Sequence, residues 1–335
     1  MKEKLKILRW LPGLVISIIA IIFIIRIVDF EILAQSMKDI GIINIAIISG
    51  ITVVSLMARA VAWMRLLPKV KFLDSFLLIN EAYLFNNLIP RSGELVKTFL
   101  FAKPSKENAY KIISSVIVER SLDLVIAASM FLITFPFISR LDNIHPIAIL
   151  LLVMFVLFLI SAFLIAVNAE KVKVWLRKIG KKNSGFIEKI LPKIEMIIDG
   201  FQVLTNWRQI ISVFLWISIS WMLWTFLLFF GLKAIFGDAK FWWAIFTEGV
   251  LALGIALPSA PAGLGVYEGT MIAALSVFDI SAEISLGLAV VIHLIQIGIT
   301  SIIGFIAVLK QGESIPVILQ RIKSSQKNKI NGQQN

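Results

Sequence analysis

"LIPRSGELVKTFLFAK" (residues 88–103) decides how the chain is laid out. It follows the apolar run "FLLINEAYLFNN" (76–87) directly and breaks it with a proline, an arginine, a glycine and a glutamate. Pro90 removes a backbone donor and Gly93 loosens the chain, so one helix ends here and another begins. The second limb, 91 to 103, covers only about 20 Å at ~1.5 Å per residue. A hydrocarbon core is ~30 Å thick, so this limb predicts a turn back and not a crossing.

The surrounding sequence places that turn in a bilayer. Of 335 residues, 59% are hydrophobic and 16% charged, against about 45–50% and about 25% in soluble domains. Runs such as "IAILLLVMFVLFLISAFLIAV" and "ISVFLWISISWMLWTFLLFFGL" approach the ~20 residues of a spanning helix. The first run, "LPGLVISIIAIIFII", lacks a small-residue cleavage site and is followed by further spans, so it reads as a retained helix and not a signal peptide. The absence of cysteine excludes disulfides, thiolate metal sites and cysteine nucleophiles. A net charge of +12 fits cytoplasmic loops facing anionic lipid, with no nucleic-acid partner implied.

Full-length apolar segments lie at 11 to 28, 42 to 64, 112 to 136, 146 to 167, 211 to 230 and 284 to 309, with two shorter ones at 72 to 88 and 241 to 257. If each short segment crossed once, the loop 168 to 210, with nine Lys/Arg, would lie opposite the basic N-terminus "MKEKLKILR", against the positive-inside rule. If each turns back, the N-terminus, 65 to 71, 103 to 111, 168 to 210 and the tail 310 to 335 share the cytoplasmic side and hold 24 of the 33 basic residues. The outer loops then hold only Lys38, Arg140, Lys233 and Lys240. The predicted fold is an all-α polytopic membrane protein in one domain, 1–335. It has six full transmembrane helices and two re-entrant helical hairpins, or eight hydrophobic segments in a conventional count.

Residues 42–136 and 211–309 each read span, hairpin, span, from opposite sides of the membrane: an inverted repeat joined by the 146 to 167 span and a cytoplasmic linker, 168–210. Interrupted segments at matching places in two halves point to a transporter's binding site. Within the linker, Ile187, Ile190, Leu191, Ile194, Ile198 and Phe201 follow a helical period broken at Pro192, predicting a helix on the inner membrane surface.

Candidate site residues cluster at the tips and on one span. At the first tip, Pro90 and Gly93 precede Arg91, Glu94 and Lys97; at the second, Pro258, Pro261, Gly263 and Gly265 precede Glu268. Helix N-termini aimed into the membrane suit a phosphate or carboxylate. The structural alternative is that Glu94 and Glu268 complement the helix dipoles while Arg91 snorkels to water. "SSVIVERSLDLVIAA" puts Glu119, Arg120 and Asp123 well inside a span, where each charge costs roughly 2.5–3.5 kcal/mol on insertion scales. Arg120 and Asp123, three apart, share a face and read first as an ion pair. Arg59, Glu81, Asn86, Asn87 and Glu248 are further polar residues at membrane depth, and His293 with Gln296 reads as a helix-to-helix hydrogen bond before a proton relay. Trp221, Trp224, Trp242 and Trp243 fit interface belts or packing. No nucleotide, metal or hydrolase motif survives scrutiny, so no cofactor and no metal are expected.

"NLIPRSGELVKTFLF", "VERSLDLV" and "LPSAPAGLGVYEG" resemble the three signature regions of the lysylphosphatidylglycerol synthase transmembrane region family, also called flippase-like domain proteins. The resemblance covers nearly the whole chain. It implies a membrane domain that, in full-length synthases, moves an aminoacylated phospholipid between leaflets. The family's polar tip and charged-helix positions fall on Arg91, Glu94, Glu119, Arg120, Asp123 and Glu268. The synthases' soluble transferase domain has no counterpart in the 26 residues after the last span, so transferase activity is not expected, and Ala262 stands where the family often has glycine. The leading expectation is a lipid translocase of the cell membrane with both termini cytoplasmic. Arg91 and the hairpin N-termini would hold phosphate; Glu94, Glu119, Asp123 and Glu268 would hold an amine or coupling ion. The alternatives are a lipid-modifying enzyme or a subunit of one, and an accessory subunit of a glycolipid or polyprenyl-phosphate pathway working with a separate enzyme.

Overall fold

Apolar runs punctuated by Pro and Gly have one solution in a low-dielectric setting: helices that satisfy their own backbone groups. The computed structural model describes residues 30–89, 92–134, 137–138, 145–182, 186–255 and 260–311. Among these residues the chain is all-helical, with eleven α-helices and no strand. The expected first span, 11 to 28, and the tail lie outside the described residues, as do Pro90, Arg91 and Pro258.

The first half comprises α1 (Phe30–Leu66), α2 (Phe72–Leu88), α3 (Gly93–Ser105) and α4 (Ala109–Thr134). Gly41, at φ 71°, kinks α1, a conformation open to glycine at little cost. Then come α5 (His145–Val167), the linker helices α6 (Ala169–Lys182) and α7 (Phe186–Gly200), and a 3₁₀ turn at Phe201–Thr205. The second half comprises α8 (Trp207–Ile235), α9 (Phe241–Ile255), α10 (Val266–Leu275) and α11 (Ala282–Gln311), with a 3₁₀ turn at Pro261–Gly263 before α10. The halves therefore match in order: long helix, short pair, long helix.

Among the described residues three stretches are long and apolar enough to cross a membrane: Ile40–Leu66, Trp207–Ile235 and Ala282–Lys310. The sequence reading expects six. The helix α4 has the length, 26 residues, but carries Lys111, Glu119, Arg120 and Asp123, so its fitness to span depends on how those charges are partnered. From α5 comes the shorter apolar stretch Val156–Val167.

Packing relates the halves. The two leading helices, α1 and α8, lie antiparallel along each other. Gln209, at the start of α8, donates to the Arg65 carbonyl near the end of α1 (2.5 Å), and the Ser55 and Ser220 hydroxyls meet midway (3.0 Å). Around this axis α2 packs on α11 as α9 packs on α4, and α2 on α3 as α9 on α10. Exchanging the halves turns each of these contacts into another. Two cores result. One gathers Trp63, Phe101, Ile112 and Ile217 from α1, α3, α4 and α8; the other gathers Leu228, Leu251, Met271 and Ile292 from α8 to α11. At the α2–α11 crossing a Cβ on Gly304 would lie 2.5 Å from the Asn80 carbonyl oxygen, so only glycine allows that approach.

The linker helices are amphipathic. Arg177 grips Glu195 with two hydrogen bonds of 2.7 Å, and Lys173 pairs with Asp199 at 2.6 Å and Glu170 at 2.8 Å. The bonds from Arg177 hold the Glu195 carboxyl below its usual range, and those from Asp199 and Glu170 raise the Lys173 ammonium. Ser114 of α4 donates to the Ile197 carbonyl of α7 (2.8 Å), fastening the linker to the helix that carries Glu119, Arg120 and Asp123.

Candidate functional site

Charged residues within an apolar bundle must find partners, because an isolated buried charge costs several kcal/mol. Here they find one another across three helices. Asp123 of α4 takes a 2.6 Å hydrogen bond from Arg59 of α1 and a 2.8 Å one from the Trp221 indole of α8. Glu119, one turn earlier, takes 2.9 Å from Lys97 of α3 and 2.8 Å from the Trp63 indole, with Arg59 at 3.5 Å. The Lys97 ammonium also stands 4.7 Å over the Trp63 ring, a cation–π contact.

Arg59, Lys97, Glu119 and Asp123 are buried. Arg120 and Glu94, 44% and 42% exposed, face each other at the edge of the cluster, 3.4 Å apart, and Arg120 also stands 3.4 Å from Asp123. Three cations thus meet three carboxylates. The expected Arg120–Asp123 contact forms, but the shorter bond to Asp123 comes from Arg59. Sequence spacing could not find Arg59, which lies 64 residues away on another helix. Its signal is the cost of an arginine inside an apolar span, which requires a carboxylate partner somewhere.

The first tip closes through Ser92, whose hydroxyl donates to the Phe85 and Ile89 carbonyls (2.8 and 2.9 Å). Gly93 opens α3 against Ala82 and Asn86 of α2. Glu94 stands in the first turn of α3, yet its recorded partner is Arg120 and not a backbone amide. On the side the charge pattern assigns to the cytoplasm, Glu107 bridges Lys69 and Lys111 at 3.1 Å each. Burial raises its carboxyl, but hydrogen bonds from the two lysines outweigh that and hold it below the usual range.

The second tip is built differently. Pro261 starts its 3₁₀ turn, and Ala262, Gly263 and Gly265 all have positive φ, at 59°, 80° and 82°. Glu268 folds back so that one carboxylate oxygen accepts the Gly265 amide (2.7 Å), the dipole-complementing role weighed from sequence. Its other oxygen lies 2.6 Å from His293 Nδ1, while His293 Nε2 lies 2.9 Å from the Ala262 carbonyl oxygen. The Tyr267 ring stacks on the imidazole at 4.2 Å. His293 thus joins the tip to α11; the sequence reading expects a helix-to-helix hydrogen bond from His293 and Gln296 without naming Glu268 as the partner. Asn87 of α2 reaches Thr300 and Ser301 of α11 (3.1 Å each).

Neither the curated proteins nor the solved structures offer a match to this chain. A family model does match, over residues 10–304, and its description is the lysylphosphatidylglycerol synthase TM region. The three signature stretches, the charged α4 and the glycine-rich second tip all fall within that span, and the chain belongs to this family of membrane domains.

Proposed function

We propose that the protein moves a phospholipid or lipid-linked headgroup between leaflets of the cell membrane. The α2–α3 and α9–α10 pairs act as re-entrant hairpins of an inverted repeat, and both termini lie inside. The antiparallel pairing of α1 with α8 and the matched contacts around it support that architecture. At about 26 Å and 20 Å for α2 and α3, neither limb is long enough to span by itself.

The observation that carries the reading is the Glu94–Arg120 pair. It is the half-exposed edge of an otherwise buried, charge-balanced cluster, and its 3.4 Å separation leaves both groups ready to exchange partners. A headgroup bearing phosphate and amine offers that exchange: Arg120 takes the phosphate in charge-assisted bonds, and Glu94 takes the amine. Lys97, Glu119, Asp123 and Arg59 stand behind the pair and fix its position. Lipid tails stay in the bilayer while the headgroup passes.

The test is leaflet exchange of fluorescent phosphatidylethanolamine and phosphatidylglycerol analogues in phosphatidylcholine vesicles holding the purified protein. Arg120→Gln and Glu94→Gln should each slow exchange about tenfold to a hundredfold, the worth of one hydrogen bond to a charged group. Thermal stability should change little, because half-exposed pairs contribute about 0–1 kcal/mol. Undiminished exchange of both lipids by both variants overturns the assignment.

A further inference from the structure

We propose that Glu268 and His293 form a proton-binding site, and that the proton it holds is the coupling ion of the transport cycle. The coupling rests on the translocase reading; the shared proton does not.

The argument begins with what the second half lacks. Residues 241 to 309 contain no lysine and no arginine, yet Glu268 is only 3% exposed and His293 only 5%. A buried carboxylate needs a positive partner or a proton. Among the described residues its recorded partners are the Gly265 amide and the imidazole.

Hydrogen-bond polarity fixes the occupancy. The Ala262 carbonyl can only accept, so His293 Nε2 carries a hydrogen. With Nε2 protonated, a neutral imidazole would point the lone pair of Nδ1 at a carboxylate oxygen 2.6 Å away, two acceptors with nothing between them. One further proton therefore lies between Oε1 and Nδ1. The loaded pair is neutral whether that proton rests on nitrogen as imidazolium or on oxygen as the acid.

Unloading has a mechanical outcome. Loss of the proton leaves one net negative charge and a lone pair facing a carboxylate, so the 2.6 Å contact opens. That contact ties α10 to α11, and the same imidazole holds the carbonyl of Ala262, a non-glycine residue in the left-handed region. Gly263 and Gly265 flank it, so the turn can rearrange once released. The turn packs on α2 of the first half, which carries the proton state to the hairpin beside the charged cluster.

Other titratable groups on the neighbouring elements set the background. These are Tyr267 on α10, Glu248 on α9, Asp74, Glu81 and Tyr83 on α2, and Lys38, Arg59 and Arg65 on α1, with Arg208 and Lys233 on α8 and Glu283 and Lys310 near the ends of α11. Arg59 is engaged with Asp123, and the Tyr267 ring stacks on the His293 imidazole.

The chain has two histidines, so a His145→Gln protein reports on His293 alone. In vesicles at neutral pH, ¹⁵N spectra of labelled imidazole and ¹³C spectra of labelled glutamate should show either two N–H groups on His293 or a protonated carboxyl hydrogen-bonded to Nδ1. In the same sample prepared with Glu268→Gln, one N–H should remain and any protonated-carboxyl signal should vanish. A singly protonated ring with no protonated carboxyl before that substitution overturns the site. For coupling, a one-unit pH gradient with the potential clamped by potassium and valinomycin should shift the steady-state leaflet ratio of the fluorescent lipid. The shift reaches about tenfold if one proton moves per lipid, since one pH unit is a tenfold ratio. In Glu268→Gln the ratio should stay at its gradient-free value. A wild-type ratio indifferent to the gradient, or a Glu268→Gln ratio that still follows it, overturns coupling. If the wild type moves no lipid at all, the translocase reading fails and coupling with it, while the shared proton stands or falls on the spectra.

Discussion

The two interrupted helix pairs, α2–α3 and α9–α10, occupy matching places in their halves but are held by opposite chemistry. Ion pairs lock the first: a permanent one, Arg59 on Asp123 at 2.6 Å, with Lys97 to Glu119 at 2.9 Å beside it. A contact that needs a proton helps to hold the second, Glu268 to His293 at 2.6 Å. Arginine stays charged across the physiological range, whereas a carboxylate–imidazole contact depends on where a proton sits. The same architecture therefore carries one lock built on an arginine ion pair and one built on a bound proton.

The largest effect should come from breaking the permanent lock. Asp123→Ala leaves Arg59 buried without its closest partner, and such losses run at about 3–5 kcal/mol. Replacing both residues by apolar ones of similar size, Arg59→Met with Asp123→Leu, should recover most of it. Chemical unfolding in detergent, run as a double-mutant cycle, measures the coupling; additive losses would show that the two residues do not depend on each other.

Next comes the contact that joins the halves. In Gly304→Ala the added carbon meets the Asn80 carbonyl oxygen at 2.5 Å, which forces α11 off α2 at a cost of about 1–3 kcal/mol. The melting temperature should fall, and hydrogen exchange in α2 should rise.

A smaller gain is expected at the second tip. Ala262 at φ 59° carries a left-handed cost of roughly 1–2 kcal/mol, and glycine relieves it while losing roughly 0.4–1 kcal/mol through the freer unfolded chain. Ala262→Gly should therefore stabilise by about 0–1.6 kcal/mol, read as a rise in melting temperature. A lower melting temperature would mean that the turn is held by the methyl group and not strained by it.

The least effect should come from pH acting on the ion pairs of the linker and of the α3–α4 turn. Glu195 and Glu107 have carboxyls depressed in the folded protein, so the stability they contribute is present above the ordinary carboxylate value and is lost as pH falls through the folded one. Lys173 is raised, so its share is present below the ordinary lysine value and is lost as pH climbs through the folded one. Between those limits the α6–α7 contacts should be flat with pH, and acid should loosen them by tenths of a kcal/mol per pair, as exposed pairs do. Limited proteolysis of the linker against pH measures this.

Local features of the fold were legible in the sequence, and contacts across it were not. The limits of α2, 72 to 88, follow from the run and its break at Pro90, because proline and glycine act where they stand. The amphipathic linker is legible for the same reason, through its period. Asp123 was paired with Arg120 because three residues put them on one helical face, whereas its closer partner, Arg59, reaches it only after α1 folds against α4. Glu268 and His293 lie 25 residues apart on different helices; the lack of lysine and arginine in 241 to 309 is the signal that Glu268 needs an imidazole or a proton. The count of spans was weakest, because hydropathy rejects α4 for the same charges that its neighbours neutralise.

The distance in sequence between Arg59 and Asp123 also bears on biogenesis. Ribosomes add roughly 5–20 residues per second, so the 64 residues between the two take several seconds to emerge. During that interval Arg59 has reached the insertion machinery and its carboxylate does not yet exist, leaving α1 to bear roughly 2.5–3.5 kcal/mol of insertion penalty alone. Nascent α1 must therefore be sheltered, or wait at the interface, until α4 arrives. The pair that steadies the mature protein makes its assembly depend on the first four described helices entering the bilayer as a group.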